Sequence, residues 1–279
     1  MSDTDGAEQV RRRFAGHDPA AGHDTGGTPW AGRQLTSTGF DGDTGGADPE
    51  LLALLTDRDA TGGQTHGRAV EPEDPELAFE ADVRLVGLVA AARLIVPVVA
   101  VAGETTEVNG LVSDATSDMA AVTLVAPGGH KALPAFTSLQ TLAEWDATAR
   151  PVPVTAQRAA QAAIQEGCQE IVLDVGAPSY GVLRGSMVWS LAMDRPWIPP
   201  HQDAQVRSGV EAAVTEEGHV VRVALSGGPG GALRIDLALR PGLTAEDLQQ
   251  LAQRVGERIA LDGEVRARID ALAFSVSAG

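Results

Sequence analysis

The spacing of apolar and polar side chains predicts strands and helices in close succession along the chain. Residues 93–101 are dominated by leucine, isoleucine and valine, which is typical of a buried β-strand. Pro97 lies inside this run and cannot donate a hydrogen bond to a neighbouring strand. We therefore expect this strand to lie at a sheet edge or to carry a bulge at Pro97.

Helix and strand patterns alternate most clearly between residues 117 and 200. Apolar stretches at 120–126 and 130–136 flank a Pro-Gly-Gly turn, so we predict a β-hairpin there. Thr155 is placed to cap an alanine-rich helix that Gly167 ends. The remaining predictions are helices over 49–57, from 75 onward, over 138–145 and over 186–195, short strands over 171–173 and 180–183, an extended segment over 151–154, and a loop over 104–116.

The last seventy or so residues have a pattern of their own. Alternating side chains predict strands over 219–225 and 232–239. Thr244 and Asp247 form a variant of the capping box at the start of a long amphipathic helix. Residues 271–277 alternate again, which predicts a final strand.

Together these elements predict an α+β fold in two domains. We expect residues 48–203 to form a mixed sheet with flanking helices, and residues 204–279 to form a small ββαβ-like domain. Residues 1–47 are rich in Gly, Asp, Thr and Ala and short of branched apolar side chains, so we predict a largely flexible acidic segment. Within it, we expect Trp30 to dock on the folded body, with solvent exposure as the alternative.

Composition narrows the class of function. The formal net charge of −17 over 279 residues argues against nucleic-acid binding, because phosphate contacts need a basic patch. We interpret the charge as an aid to solubility, or as a bias toward basic partners. Cys168 is the single cysteine, which rules out an intrachain disulfide and indicates a reducing compartment. We expect its thiol to be buried and inert.

Neither a membrane span nor a secretory signal is predicted. No apolar run reaches the roughly 18 residues that a membrane helix requires. Residues 1–13 are acidic and then basic, and no apolar core of a secretory signal follows them. We therefore expect a cytoplasmic protein that does not contact a membrane.

The candidate catalytic and binding motifs all have a simpler structural interpretation. The glycine run 227–231 joins two predicted strands, whereas a dinucleotide loop must open a helix, so we expect a flexible hairpin tip. Ser179 has the wrong spacing for a nucleophile elbow, and Asp41 and Asp43 lack the further ligands of a calcium loop. None of the six histidines has a His or Cys partner at metal-ligand spacing. We predict no catalytic residue, no metal site and no cofactor.

Two short stretches are candidates for an interaction surface. Their residues are Ser117, Asp118 and Met119 in the first, and Trp197, Ile198 and Pro199 in the second. A Ser-Asp pair in a loop can also simply hold a turn. If Trp197 is exposed, its proline-stiffened ring presents a rigid surface to a protein partner, whereas core burial is the commoner fate of such a ring.

In several short motifs, taken in order, the chain resembles the SseB family, which is named after the enhanced serine sensitivity protein. The resemblance is closest to the actinobacterial members of that family. The motifs are Arg93-Leu94-Ile95-Val96-Pro97-Val98, Ser117-Asp118-Met119-Ala120, Ala132-Leu133-Pro134-Ala135-Phe136-Thr137-Ser138, Ala149-Arg150-Pro151-Val152-Pro153-Val154 and Trp197-Ile198-Pro199-Pro200-His201. The likeness covers roughly residues 28–203. It implies an α/β N-terminal domain without an established enzymatic activity, so no catalytic residue can be carried over.

We therefore expect a non-enzymatic SseB-like protein that acts through protein–protein or small-ligand contacts, with a protein partner or a second copy of itself. The alternative is an enzyme or an amino-acid-sensing protein whose site lies in a cleft between the two domains. An enzyme needs a deep pocket with convergent polar groups. An interaction module shows a shallow exposed apolar patch instead.

Overall fold

The computed structural model describes residue 40 and residues 42–60, 75–101, 106–108, 111–113 and 118–279. The predicted flexible segment, the position of Trp30 and most of the residues before Asp48 lie outside this part of the chain. Within it, residues Thr44–Gly279 form one compact unit. The predicted boundary near residue 203 stays a prediction. No helix in the described ranges combines the length and apolar character needed to cross a membrane.

Two helices precede the first sheet. Helix α1 spans Pro49–Ala60 and helix α2 spans Pro75–Ala91. The Asp48 carboxylate caps α1 by accepting hydrogen bonds from the backbone N–H groups of Glu50 and Leu51, each at 3.0 Å. Pro49 suits the first helical position, because the N–H that proline lacks would have no partner there.

The strand that contains Pro97 is central in its sheet, so the prediction of an edge or a bulge is wrong. Strand β1 (Arg93–Val101) lies between β4 (Asp118–Ala121) and β7 (Arg150–Thr155), antiparallel to both. Pro97 is tolerated because its carbonyl accepts from the N–H of Val122 at 3.0 Å, one residue beyond the end of β4. The missing donor therefore falls where pairing with β4 already stops.

Four short strands form a second sheet in the order β5-β6-β8-β9, with β6 and β8 parallel. Their bounds are Leu124–Val125, Lys131–Ala135, Glu170–Leu173 and Gly181–Leu183. The β5–β6 hairpin confirms the predicted turn at Pro127-Gly128-Gly129. Ile95 and Phe136 exchange both backbone hydrogen bonds at 2.8 Å, which joins this sheet to β1.

Strands β2 (Thr106–Val108) and β3 (Leu111–Ser113) pair with each other as a separate antiparallel ladder. The predicted loop over 104–116 is therefore wrong at these two strands. Each strand has three residues, and so short a pattern in the sequence does not distinguish a short hairpin from a polar loop.

Helices α3 (Leu139–Trp145), α4 (Ala156–Gln165) and α5 (Gly185–Ala192) complete this part of the fold. Ser138 caps α3, and the predicted cap of α4 by Thr155 is confirmed by its bond to the N–H of Arg158. The alanines of α4 are buried against leucine, valine and isoleucine side chains of the two sheets, which gives this part its apolar core.

A buried carboxylate ties the loop after β6 to the end of β8. Asp174 accepts from the backbone N–H of Thr137 at 2.8 Å, and from the hydroxyls of Thr137 and Thr141 at 2.7 Å each. Its φ of 50° lies in the left-handed region, which Asp tolerates better than most residues. The threonine that follows Phe136 thus has a structural role.

The C-terminal residues form a third sheet in the order β10-β11-β12, covered by helices on one face. The strands are Val220–Gly227, Leu233–Leu239 and Leu272–Ala278, and the helices are α6 (Ala204–Val214), α7 (Ala245–Leu261) and the short α8 (Gly263–Arg266). The predicted strand–strand–helix–strand order is confirmed. The capping box of Thr244 and Asp247 at the start of α7 is also confirmed.

Candidate functional site

The residues proposed from the sequence lie in different parts of the fold. Asp118 and Met119 belong to β4, where their backbones pair with Val101 and Ala100, while Ser117 is outside the described residues. Trp197 is buried at 6% exposure, whereas Ile198 is 47% exposed. Pro199 is buried as well. Of the second stretch, therefore, the Ile198 side chain is about half exposed, while Trp197 and Pro199 are buried.

Trp197 supports the surface from below. Its ring stacks on Phe79 of α2 with ring centres 6.3 Å apart, and its Nε1–H donates to the Ser186 hydroxyl at 3.0 Å. The Arg184 guanidinium lies over the same ring, 5.8 Å from its centre. A buried indole with its N–H satisfied and a cation over its face is held in one position.

A cluster of charged side chains joins α2, the start of α5 and the segment before β12. Arg184 binds Asp82 at 2.8 Å and Asp270 at 3.0 Å. Asp270 also accepts from the backbone N–H of Ser186 at 2.7 Å and from its hydroxyl at 2.8 Å. Burial disfavours the charge on Arg184, but Asp82 and Asp270 outweigh this, so the pKa of Arg184 is raised above its ordinary value.

The glycine run between β10 and β11 packs against this cluster. The predicted hairpin tip is confirmed, because β10 and β11 pair antiparallel up to Gly227 and Leu233, while its flexibility stays a prediction. A Cβ on Gly231 would lie 2.6 Å from the Arg184 Cζ atom, and Gly231 has a φ of 75°. A Cβ on Gly227 would lie 2.8 Å from the Phe79 ring. These two glycines are needed because the backbone approaches α2 and Arg184 closely.

Beside the cluster lies a groove of about 610 Å³, which we call the α5–α8 groove. One wall is α5 with the segment through Ile198, and the other is α8 with Ala267 and Arg268. Trp189, Met193 and Ile198 are 44%, 52% and 47% exposed along the first wall. The groove therefore lies between the two predicted domains and carries three large apolar side chains open to solvent.

A second groove of about 490 Å³ adjoins the first, and the two share Ser186, Trp189 and Arg266. Its lining includes Cys168 and an ion-pair contact of 3.6 Å between His130 Nε2 and Glu170 Oε2. Burial raises the pKa of the Cys168 thiol, which favours its protonated form. Cys168 is half-buried, so the predicted full burial is wrong, and the inertness of the thiol stays a prediction.

Several polar groups of the two grooves are engaged with each other, which suits these groups to holding the fold. The Ser186 hydroxyl donates to Asp270 and accepts from the Trp197 Nε1–H, so it is engaged both as a donor and as an acceptor. Among the described residues, no group of three or more His, Cys, Asp or Glu side chains is arranged to hold a metal ion.

A comparison with protein families matches residues 76–190 to the model of the SseB protein N-terminal domain. The chain carries an SseB N-terminal domain. This confirms the resemblance to the SseB family, over a shorter span than the one expected from the motifs. The comparisons with curated proteins and with solved structures returned no match.

The SseB N-terminal domain supplies only part of the α5–α8 groove. The matched span begins in α2 and ends at Ser190, so it includes Arg184, Ser186 and Trp189. Met193, Ile198 and α8 lie beyond it. The sequence signal for this wall is the spacing of four residues between Trp189 and Met193, which puts both on one helical face.

Proposed function

We propose that this protein is non-enzymatic and binds a segment of a partner protein in the α5–α8 groove. The observation that supports this is the row of Trp189, Met193 and Ile198, all about half exposed along one wall. Exposed apolar side chains are common when they stand singly, as Leu77 does on α2. Several such side chains gathered along one groove are typical of an interaction site.

The chemistry of these side chains suits protein recognition. Tryptophan and methionine are enriched at protein interfaces, and tryptophan is among the residues that most often dominate binding energy. Methionine adapts its flexible, polarizable side chain to partners of different shape. Trp189 with Met193 and Ile198 beside it therefore offers one large aromatic anchor, one adaptable side chain and one rigid apolar side chain.

The wall that carries these side chains is held in place before binding. Beneath it, Trp197 is fixed by Phe79, Arg184 and Ser186, and Ser186 is in turn fixed by Asp270. A surface that does not need to be ordered on binding loses less conformational entropy, so more of the contact energy remains as affinity.

The test is a selection of peptides from a random display library on the wild-type protein, followed by affinity measurement with Trp189→Ser and Met193→Ser variants. Loss of a dominant aromatic contact weakens binding by about thirtyfold. Leu77→Ser is the matched control because Leu77 is 58% exposed on a helix and does not line the groove. Equal melting temperatures show that the variants are folded.

Two results would contradict the proposed function. One is that no peptide is enriched over a surface without protein. The other is that enriched peptides bind the Trp189→Ser variant as tightly as the wild type, since the groove is then not the binding site.

The second candidate function is an enzyme or an amino-acid-sensing protein with its site in the cleft between the predicted domains. The position of both grooves favours it, because clefts between domains are common ligand sites. A thermal-shift screen with serine, other amino acids and nucleotides separates the two functions. Strong stabilisation by one metabolite favours the second candidate, and the single cysteine supports a cytoplasmic setting for either.

A further inference from the structure

The charged side chains around the α5–α8 groove have an uneven balance. Three arginines and two acids line it: Arg195, Arg266 and Arg268, with Asp203 and Glu264. Both acids bind the same arginine, since Arg268 contacts Asp203 at 3.3 Å and Glu264 at 2.6 Å. The two carboxylates are therefore already engaged within the groove wall.

Arg195 and Arg266 remain, one from each wall. Arg195 follows α5, and Arg266 is the last residue of α8. Both are exposed, and neither forms an ion pair with any residue in the described part of the chain. The exposed apolar side chains lie along the first wall, so the groove combines an apolar wall with a cation on each side.

Resting on the proposed function, we propose that the bound partner is an acidic protein segment, in which an apolar anchor is flanked by aspartate or glutamate. The anchor fills the space over Trp189 and Met193, and its carboxylates meet Arg195 and Arg266. Arginine is suited to this because its planar guanidinium binds a carboxylate through two parallel hydrogen bonds.

The charge of the whole chain makes this pairing selective. With a net charge of −17, most of the surface repels an acidic segment, so binding depends on the two arginines at the groove. Nucleic acid is a poorer fit, because a phosphate backbone needs a continuous run of cations beyond two isolated arginines.

The experiment sequences the peptides recovered by the selection described above and then compares two fluorescein-labelled synthetic peptides. One is the tightest binder recovered, and the other has each of its acidic residues replaced by lysine. We expect enrichment of Asp and Glu beside an aromatic or leucine residue. We also expect the lysine peptide to bind about tenfold more weakly at low salt, with a smaller difference at high salt.

The variants assign the effect to the groove. The double variant R195E/R266E is expected to reverse the preference between the two peptides. R222E/R240E is the matched control, since both arginines are exposed and neither lines the groove. Its preference is expected to equal that of the wild type.

The outcomes separate this inference from the proposed function. Two results overturn the acidic partner while Trp189→Ser still weakens binding: recovered peptides without acidic enrichment, and an unchanged preference in R195E/R266E. If the wild-type protein is a homodimer and Trp189→Ser dissociates it, the groove binds a second copy of the chain and the inference is overturned. Absence of any enriched peptide overturns both proposals.

Discussion

Removing Arg184 tests the charged cluster that supports the groove wall. The Arg184→Met change keeps much of the apolar stem and deletes the guanidinium that binds Asp82 at 2.8 Å and Asp270 at 3.0 Å. The Asp82 side chain is only 5% exposed and that of Asp270 is 13% exposed, so water cannot replace the lost cation well. The variant therefore leaves two carboxylates in a poorly hydrated site.

The expected cost is about 3.5–4 kcal/mol of unfolding free energy. Deleting one partner of a buried ion pair costs about 3–5 kcal/mol, mainly because the remaining charge is uncompensated. We take the lower end because the Arg184 side chain is 24% exposed. Loss of the cation over the Trp197 ring adds about 0.5–1 kcal/mol to this figure.

Urea unfolding followed by tryptophan fluorescence measures the change, with Arg222→Met as the control at an exposed strand position. A double variant sharpens the test, because Asp82→Asn removes one of the two negative charges that Arg184 binds. In the Arg184→Met background it is expected to restore about 1–2 kcal/mol. A cost below about 1 kcal/mol for Arg184→Met, or further destabilisation by Asp82→Asn in that background, would refute the reasoning.

Three further predictions use local features of the fold. Asp174→Asn is expected to lower the free energy of unfolding by about 2–3 kcal/mol, because the amide offers one acceptor oxygen to three donors. Asparagine tolerates the same backbone conformation, and urea unfolding measures the change. Gly231→Ala is expected to cost about 1–2 kcal/mol, because its φ of 75° is strained for alanine and its Cβ meets Arg184; an unchanged melting temperature would contradict this. Hydrogen bonding from Arg254 lowers the pKa of Glu217 in the folded protein. The ionised Glu217 therefore stabilises the fold at pH values above its unfolded pKa, and this stabilisation is lost as the pH falls through its folded pKa. Glu217→Gln should therefore destabilise at neutral pH, with an effect that shrinks below about pH 4.5 in unfolding curves, and a pH-independent effect would contradict the assignment.

Local signals in the sequence were sufficient to predict many elements of the fold. The cap at Thr155, the capping box at Thr244 and the turn at Pro127-Gly128-Gly129 each depend on residues a few positions apart. Their geometry is decided within one turn of chain, so composition and spacing predict it. The family resemblance rested on short motifs of this kind and was confirmed by the match over residues 76–190.

The candidate site could not be predicted in this way, because its contacts join distant residues. Arg184 and Asp270 are 86 positions apart, and Arg184 and Asp82 are 102 positions apart. No pattern in the sequence relates such residues before the two parts of the chain are packed together. The strand that contains Pro97 illustrates the same limit, since its place in the sheet depends on where its neighbour β4 ends.

The role of Trp197 also depended on packing. The sequence offered core burial and an exposed contact surface as alternatives, and the structure buries the ring under Arg184. The exposed aromatic of this region is Trp189, because α5 turns that side chain toward the groove while Val188 and Leu191 face the core. Helical spacing alone did not decide which of these apolar side chains would face solvent.

Fluorine NMR of protein labelled with 5-fluorotryptophan tests the central claim most directly. The chain has four tryptophans, so the spectrum has one signal each for Trp30, Trp145, Trp189 and Trp197, which single Trp→Phe variants assign. On saturation with the tightest-binding peptide, we predict a shift of the Trp189 signal and no change at Trp145, which packs against Phe136. An unmoved Trp189 signal at full occupancy would contradict binding in the α5–α8 groove.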